Sequence, residues 1–98
     1  MDTPVVEYTG LSVDLIHRQL RIEGKPYPLS QKEFILVYQL LQRKGALVSR
    51  ADLCNSIGAT EADSALENHI YRLRKKLGGY GHLIKSKRRH GYRLDAIQ

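Results

Sequence analysis

Leu66-Glu67-Asn68-His69-Ile70-Tyr71-Arg72-Leu73-Arg74-Lys75-Lys76-Leu77 sets its apolar side chains at 66, 70, 73 and 77, the spacing of one helical stripe. At 100° per residue, Asn68, Tyr71, Arg72 and Lys75 fall on the opposite face, while His69 and Arg74 flank the stripe. A helix docked by leucines that turns an amide, a phenol and cations toward solvent is suited to meeting an anion. The pattern opens the helix near Thr60 or Asp63 and closes it at Leu77, where Gly78 and Gly79 offer left-handed backbone for a cap.

Upstream lie two further helix starts built alike. In Leu29-Ser30-Gln31-Lys32-Glu33-Phe34, Ser30 can cap the first turn, Glu33 can bond back, and Leu29 can pack on Phe34. Phe34, Val37, Tyr38 and Leu41 share a face and Gly45 supplies the stop, which gives a first helix of about Ser30 to Lys44. Val48-Ser49-Arg50-Ala51-Asp52-Leu53 repeats the arrangement, and Gly58 ends a shorter second helix. Ahead of both, Leu11, Val13 and Leu15, then Leu20 and Ile22, alternate with polar residues and are broken by Glu23-Gly24, Pro26 and Pro28, the mark of short antiparallel strands. Beyond Gly81, His82 to Ser86 and Tyr92 to Leu94 read as two strands joined by Lys87-Arg88-Arg89-His90-Gly91, a hairpin with a basic tip.

With 98 residues, 42% hydrophobic and 27% charged, the chain is sized and composed for one globular domain. Its net charge of +6 is unevenly spread: residues 50–98 carry +5 and residues 1–49 only +1. Between Asn68 and Leu94 there are nine lysines and arginines and no carboxylate. A face kept merely soluble would mix the signs, so a polyanion is the expected partner. No apolar run approaches the roughly 18 residues of a membrane span, and Met1 to Gly10 lacks the features of a secretory signal, so a cytoplasmic setting is expected. Cys54 is read as a packed apolar side chain, and the scattered histidines give no metal site. No nucleophile with its base, phosphate loop or paired carboxylates can be assembled, so catalysis and a cofactor are not expected.

Two capped helices, a third with a basic outer face and a basic hairpin make the layout of an α+β winged helix-turn-helix. It divides a single domain, 1–98, into an N-terminal antiparallel sheet (1–29), three helices (30–77) and a wing hairpin (82–95). A helix fits the DNA major groove, where Asn68, Tyr71, Arg72 and Lys75 can reach base edges and phosphates. Lys87, Arg88 and Arg89 at the hairpin tip can enter or flank the narrower minor groove, most negative over A·T-rich sequence. Two rival readings of the same basic surface are a winged-helix module binding an acidic protein and a basic domain binding structured RNA.

Four segments in this order, Leu29 to Phe34, Val48 to Leu53, His69 to Leu77, and Arg88 with Gly91 to Leu94, resemble the effector domain of OmpR/PhoB-type response regulators over nearly the whole chain. The resemblance implies a four-stranded N-terminal sheet and binding of direct-repeat promoter sites as head-to-tail dimers, with the third helix in the major groove and a wing arginine in the minor groove. It makes Arg72 the leading reader, Arg74 and His69 backbone or base contacts, Arg88 the minor-groove residue, and Arg50 and Tyr92 phosphate contacts. Beside this, the Arg74 stem can equally cover core while its head meets an acid such as Glu33. Three departures matter. The Ile57 to Thr60 loop is short and without tryptophan, which weighs against the RNA polymerase contact such loops make. The wing pattern arginine, glycine, any residue, glycine becomes Arg88-Arg89-His90-Gly91, so Arg89 either adds a phosphate contact or replaces Arg88 in the groove. A phosphorylatable receiver domain is not part of these 98 residues.

Overall fold

Alternation in the first third of the chain becomes a four-stranded antiparallel meander: β1 (Val5–Tyr8), β2 (Leu11–Asp14), β3 (Gln19–Ile22) and β4 (Lys25–Tyr27), paired in sequence order. The computed structural model describes residues 5–97, so the first four residues of the expected 1–29 segment lie outside it. Leu11, Val13, Leu20 and Ile22 point to one side and are at most 1% exposed. Leu15, read as part of the alternation, lies instead in the turn after β2 and is half-buried. Between Ile22 and Lys25, Glu23 and Gly24 take φ of 51° and 81°, the left-handed pair that matches strand twist in a two-residue hairpin.

The helix α1 (Gln31–Gln42) begins with the expected reciprocal cap: Glu33 N–H donates to Ser30 Oγ at 3.3 Å, and Ser30 N–H donates to Glu33 Oε1 at 2.8 Å. Its buried face is wider than the four-residue stripe, for Leu36 and Leu40 are also fully buried while Tyr38 is only half so. The reason is position: α1 packs against the sheet on one side and the remaining helices and hairpin on the other. A strand that sequence reading missed, β5 (Val48–Ser49), leads into α2 (Arg50–Ser56), whose Ser49 cap accepts from Asp52 N–H at 3.1 Å.

The third helix, α3 (Ala65–Leu77), starts later than Thr60 or Asp63. Asp63 is the cause. Its carboxylate accepts from Ala65 N–H at 2.9 Å and from the Thr60 hydroxyl at 3.1 Å, holding the preceding residues in a turn. The connection between α2 and α3 therefore runs over 57–64 and is longer than the four-residue loop expected. Leu66, Ile70, Leu73 and Leu77 are buried as the stripe required. After Leu77 the chain makes a 3₁₀ turn (Gly78–Leu83), so His82 and Leu83 are not strand. The hairpin comprises β6 (Ile84–Lys87) and β7 (Gly91–Leu94), and β7 also pairs with β5 in a second sheet ordered β5-β7-β6.

Candidate nucleic-acid interface

Because its apolar stripe is anchored, α3 has one free face, and Asn68, Tyr71, Arg72 and Lys75 are all exposed on it. Tyr71 is 60% exposed, a large ring left in water with the Lys75 ammonium 5.0 Å from its centroid. His69 is half-buried and lines a shallow cleft against the first turn of α1, together with Lys32, Arg72 and Lys76. Lys87, Arg88 and Arg89 are exposed at the hairpin tip. Among the described residues, Arg72, Lys87, Arg88 and Arg89 have neither an ion pair nor a side-chain hydrogen bond.

The hairpin lies beside α3. A groove of about 570 Å³ runs between them, floored by Arg74, Gly81 and Ile84 and bordered by Tyr71, Lys75, Lys85 and Ser86. Lys85 and Ser86 carry no such signal in the sequence, because β6 begins at Ile84 and not at His82, and its position beside α3 is set by distant contacts. Arg74 joins the two elements. Its Nε and Nη2 donate to the Ile84 carbonyl at 3.2 and 2.7 Å, Nη2 donates to Ser86 Oγ at 3.0 Å, and the guanidinium lies 5.8 Å from the Tyr92 ring centroid. This corrects one sequence reading of Arg74: its head meets the wing backbone and not Glu33. Glu33 is paired instead with Lys76 Nζ at 2.7 Å.

Arg50 is likewise tied into the fold. The resemblance implies a phosphate contact for it; in the fold its Nε and Nη2 donate to the two Glu67 carboxylate oxygens at 3.0 and 2.9 Å, while Nη1 and Nη2 reach the Glu61 and Asp63 carbonyls. Four of the five guanidinium N–H groups are engaged in this way. What Arg50 does is frame the interface: its side chain fixes the entry to α3, while its backbone N–H donates to the His90 carbonyl at 3.0 Å and pins the wing tip. Tyr92 is 8% exposed and packed in the core, so only its hydroxyl remains for a phosphate; burial pushes that phenol up from its ordinary value. Cys54, 1% exposed, sits in the core as an apolar side chain, its thiol pushed up by burial.

The Glu33–Lys76 and Glu67–Arg50 ion pairs make an acid-stability prediction. Burial of Glu33 works against its ionisation, but the Lys76 ammonium and the Ser30 donors outweigh it and hold the carboxyl below its ordinary value. At Glu67 the Arg50 hydrogen bonds act in the same direction. A carboxyl depressed in the folded state contributes stability that is complete above the unfolded value, about 4.3, and is lost as pH falls through the lower folded one. The melting temperature should thus hold from neutral pH to about 5 and then decline. Glu33→Gln should start lower and decline less steeply, and an unaltered acid slope in that variant would remove Glu33 from the account.

Against known sequences, the family described as "Transcriptional regulatory protein, C terminal" matches residues 24–94. The chain belongs to that family. This regulatory domain is 35% identical over 97 residues to the probable transcriptional regulatory protein y4xI of Sinorhizobium fredii (strain NBRC 101917 / NGR234), covering 94% of the chain and 43% of that protein. It is 31% identical over 96 residues to the phosphate regulon transcriptional regulatory protein PhoB of Escherichia coli (strain K12), covering 93% and 42%. The chain spans less than half the length of these regulators. In structure, the DNA-binding domain of CpxR from E. coli superposes with a TM-score of 0.82 at 32% identity, covering 97% of this chain and 99% of that one. The Klebsiella pneumoniae RstA DNA-binding domain, solved in complex with the RstA box, gives 0.79 at 26% identity, covering 93% and 96%. The OmpR/PhoB-type effector fold expected from the four segments is therefore the fold of this regulatory domain.

Proposed function

We propose that this domain binds double-stranded DNA in a sequence-specific manner to regulate transcription, with the outer face of α3 in the major groove and the β6–β7 wing at the adjacent minor groove. One observation carries the reading: the exposed, unpaired Arg72 of α3 and Lys87, Arg88 and Arg89 of the hairpin tip stand on two elements that Arg74 ties together through the Ile84 carbonyl and Ser86, with the tip pinned by Arg50 N–H. Coulomb attraction brings a duplex to such a surface, and the rigid frame lets two elements engage neighbouring grooves together. The RstA domain's complex with its DNA box supports the same use of this fold. Arg72 is the major-groove reader, Asn68 and Tyr71 add base or sugar contacts, His69, Lys75 and Lys87 contact phosphate, and Arg88 enters the minor groove. Two copies sit head to tail on direct repeats in a cytoplasmic, two-component setting.

Selection from a random duplex pool should recover a direct repeat. Titration of that duplex over a salt series should give log affinity falling against log salt with a slope of roughly −5, the value for five or six neutralised phosphates. Equal affinity for all duplexes, or tighter binding to duplex RNA or an acidic protein competitor, would overturn the proposal.

A further inference from the structure

The outer strand of the wing, β6, is held to α3 by very little. It lies at the edge of its sheet and pairs with β7 alone, so no strand reaches it from the side of α3. From Asn68 to Leu94 there is no carboxylate to bridge the two elements, and Lys75 of α3 and Lys85 of β6 both border the groove between them. Like charges on the two sides of a groove push its walls apart. Among the described residues, every side-chain hydrogen bond between α3 and β6 comes from Arg74. Its planar fork meets β6 at two points, the Ile84 carbonyl and Ser86 Oγ, and its face lies toward the Tyr92 ring. The backbone of the same residue is held as well, for Gly81 is buried so closely against the Arg74 carbonyl that a Cβ there would overlap it. Three of the five guanidinium N–H groups are spent inside the fold, and only Nη1 has no partner among the described residues. Such a cation can govern binding without touching the duplex. Two contacts held at the separation their target fixes bind far more tightly than two that swing freely.

We propose that Arg74 is a positioning residue: it makes no contact with DNA and holds the wing at the distance from α3 at which Arg72 and Arg88 engage one duplex together. The inference rests on the DNA-binding reading and adds to it a cooperativity between the two grooves that one side chain sets. It replaces the backbone or base contact that the family resemblance implies for this residue.

The test is a double-mutant cycle of Arg74→Ala and Arg88→Ala, each form titrated over a salt series with the duplex recovered by selection, and melted thermally so that affinities are compared on folded protein. Arg74→Ala alone should bind about five- to tenfold more weakly. Added to Arg88→Ala, where the wing has no minor-groove contact left to lose, it should cost less than about twofold and leave the salt slope unchanged. Arg74→Lys keeps the charge but cannot span Ile84 and Ser86 in one plane, so it should behave like the alanine variant; it carries the same cycle if alanine prevents folding. An equal loss in both backgrounds, a slope less negative by about 1 in the Arg88→Ala background, or full rescue by lysine would make Arg74 a direct phosphate contact and overturn the inference. Unchanged affinity in Arg74→Ala would overturn it too. If Arg72→Ala weakens binding while the cycle shows no coupling, only the inference falls; if the unaltered chain binds no duplex, the reading beneath it falls as well.

Discussion

Gly91→Ala should remove about 3 kcal/mol or more of folding stability, a large share of the roughly 5–15 kcal/mol that holds a domain of this size together. A Cβ built on Gly91 overlaps the Val48 carbonyl oxygen and lies 2.9 Å from its carbon and 3.0 Å from Ser49 Cα. These atoms are backbone, so no side chain can swing aside to admit it. The residue also holds φ at 154°, a conformation that L-residues rarely adopt. The strands β5 and β7 must separate, or the β6–β7 register must slip. Either movement breaks the pairing that buries Val48 and Tyr92 and pulls His90 from Arg50 N–H. Thermal melting should show a drop on the order of 12 °C or more, given 4–8 °C per kcal/mol at this length. A drop of only a few degrees would mean that the β5–β7 contact is soft, and with it the seat of the wing.

What made this fold legible was local and periodic. The α3 stripe needed only the identities of Leu66, Ile70, Leu73 and Leu77, and the α1 cap only Ser30 and Glu33 at their spacing, since both depend on residues within one or two turns. The outward face of α3 followed from the same arithmetic, which is why Asn68, Tyr71, Arg72 and Lys75 stand where the pattern put them. Failures came where a distant partner decided the outcome. Two residues, Val48 and Ser49, are too few to show a strand by alternation, and they become one only because β7 lies alongside. Nothing local in the sequence marks the partners of Arg50 and Arg74, which are Glu67, seventeen positions along, and the Ile84 carbonyl, ten along. The start of α3 shifted because Asp63 caps by side chain a turn that helical propensity alone would not forbid. A charge count thus shows where the cations gather, but which of them hold the frame is visible only with their partners in place.

Arg72→Ala should cost about 1–3 kcal/mol of binding free energy on the selected duplex, roughly 5- to 150-fold in affinity, and far less on duplex of random sequence. The asymmetry is the point of the prediction. Arg72 is exposed, unpaired among the described residues and placed one turn from Asn68 and Lys75 on the free face of α3, so its removal leaves no buried charge and should leave the melting temperature within about a degree. Any loss is then a loss of contact and not of fold. A guanidinium can give two parallel hydrogen bonds to the acceptors of a guanine edge, which an ammonium cannot do in one plane, so Arg72→Lys should retain much of the salt dependence yet lose most of the discrimination. Lys75→Ala offers the contrast: with its ammonium over the Tyr71 ring, it should weaken all duplexes alike and reduce the salt slope by about 1. Competitive titration of each variant against the selected and the random duplex separates the two behaviours. Equal losses from Arg72→Ala on both would make Arg72 a phosphate contact and move the reading of sequence to Asn68 or Tyr71.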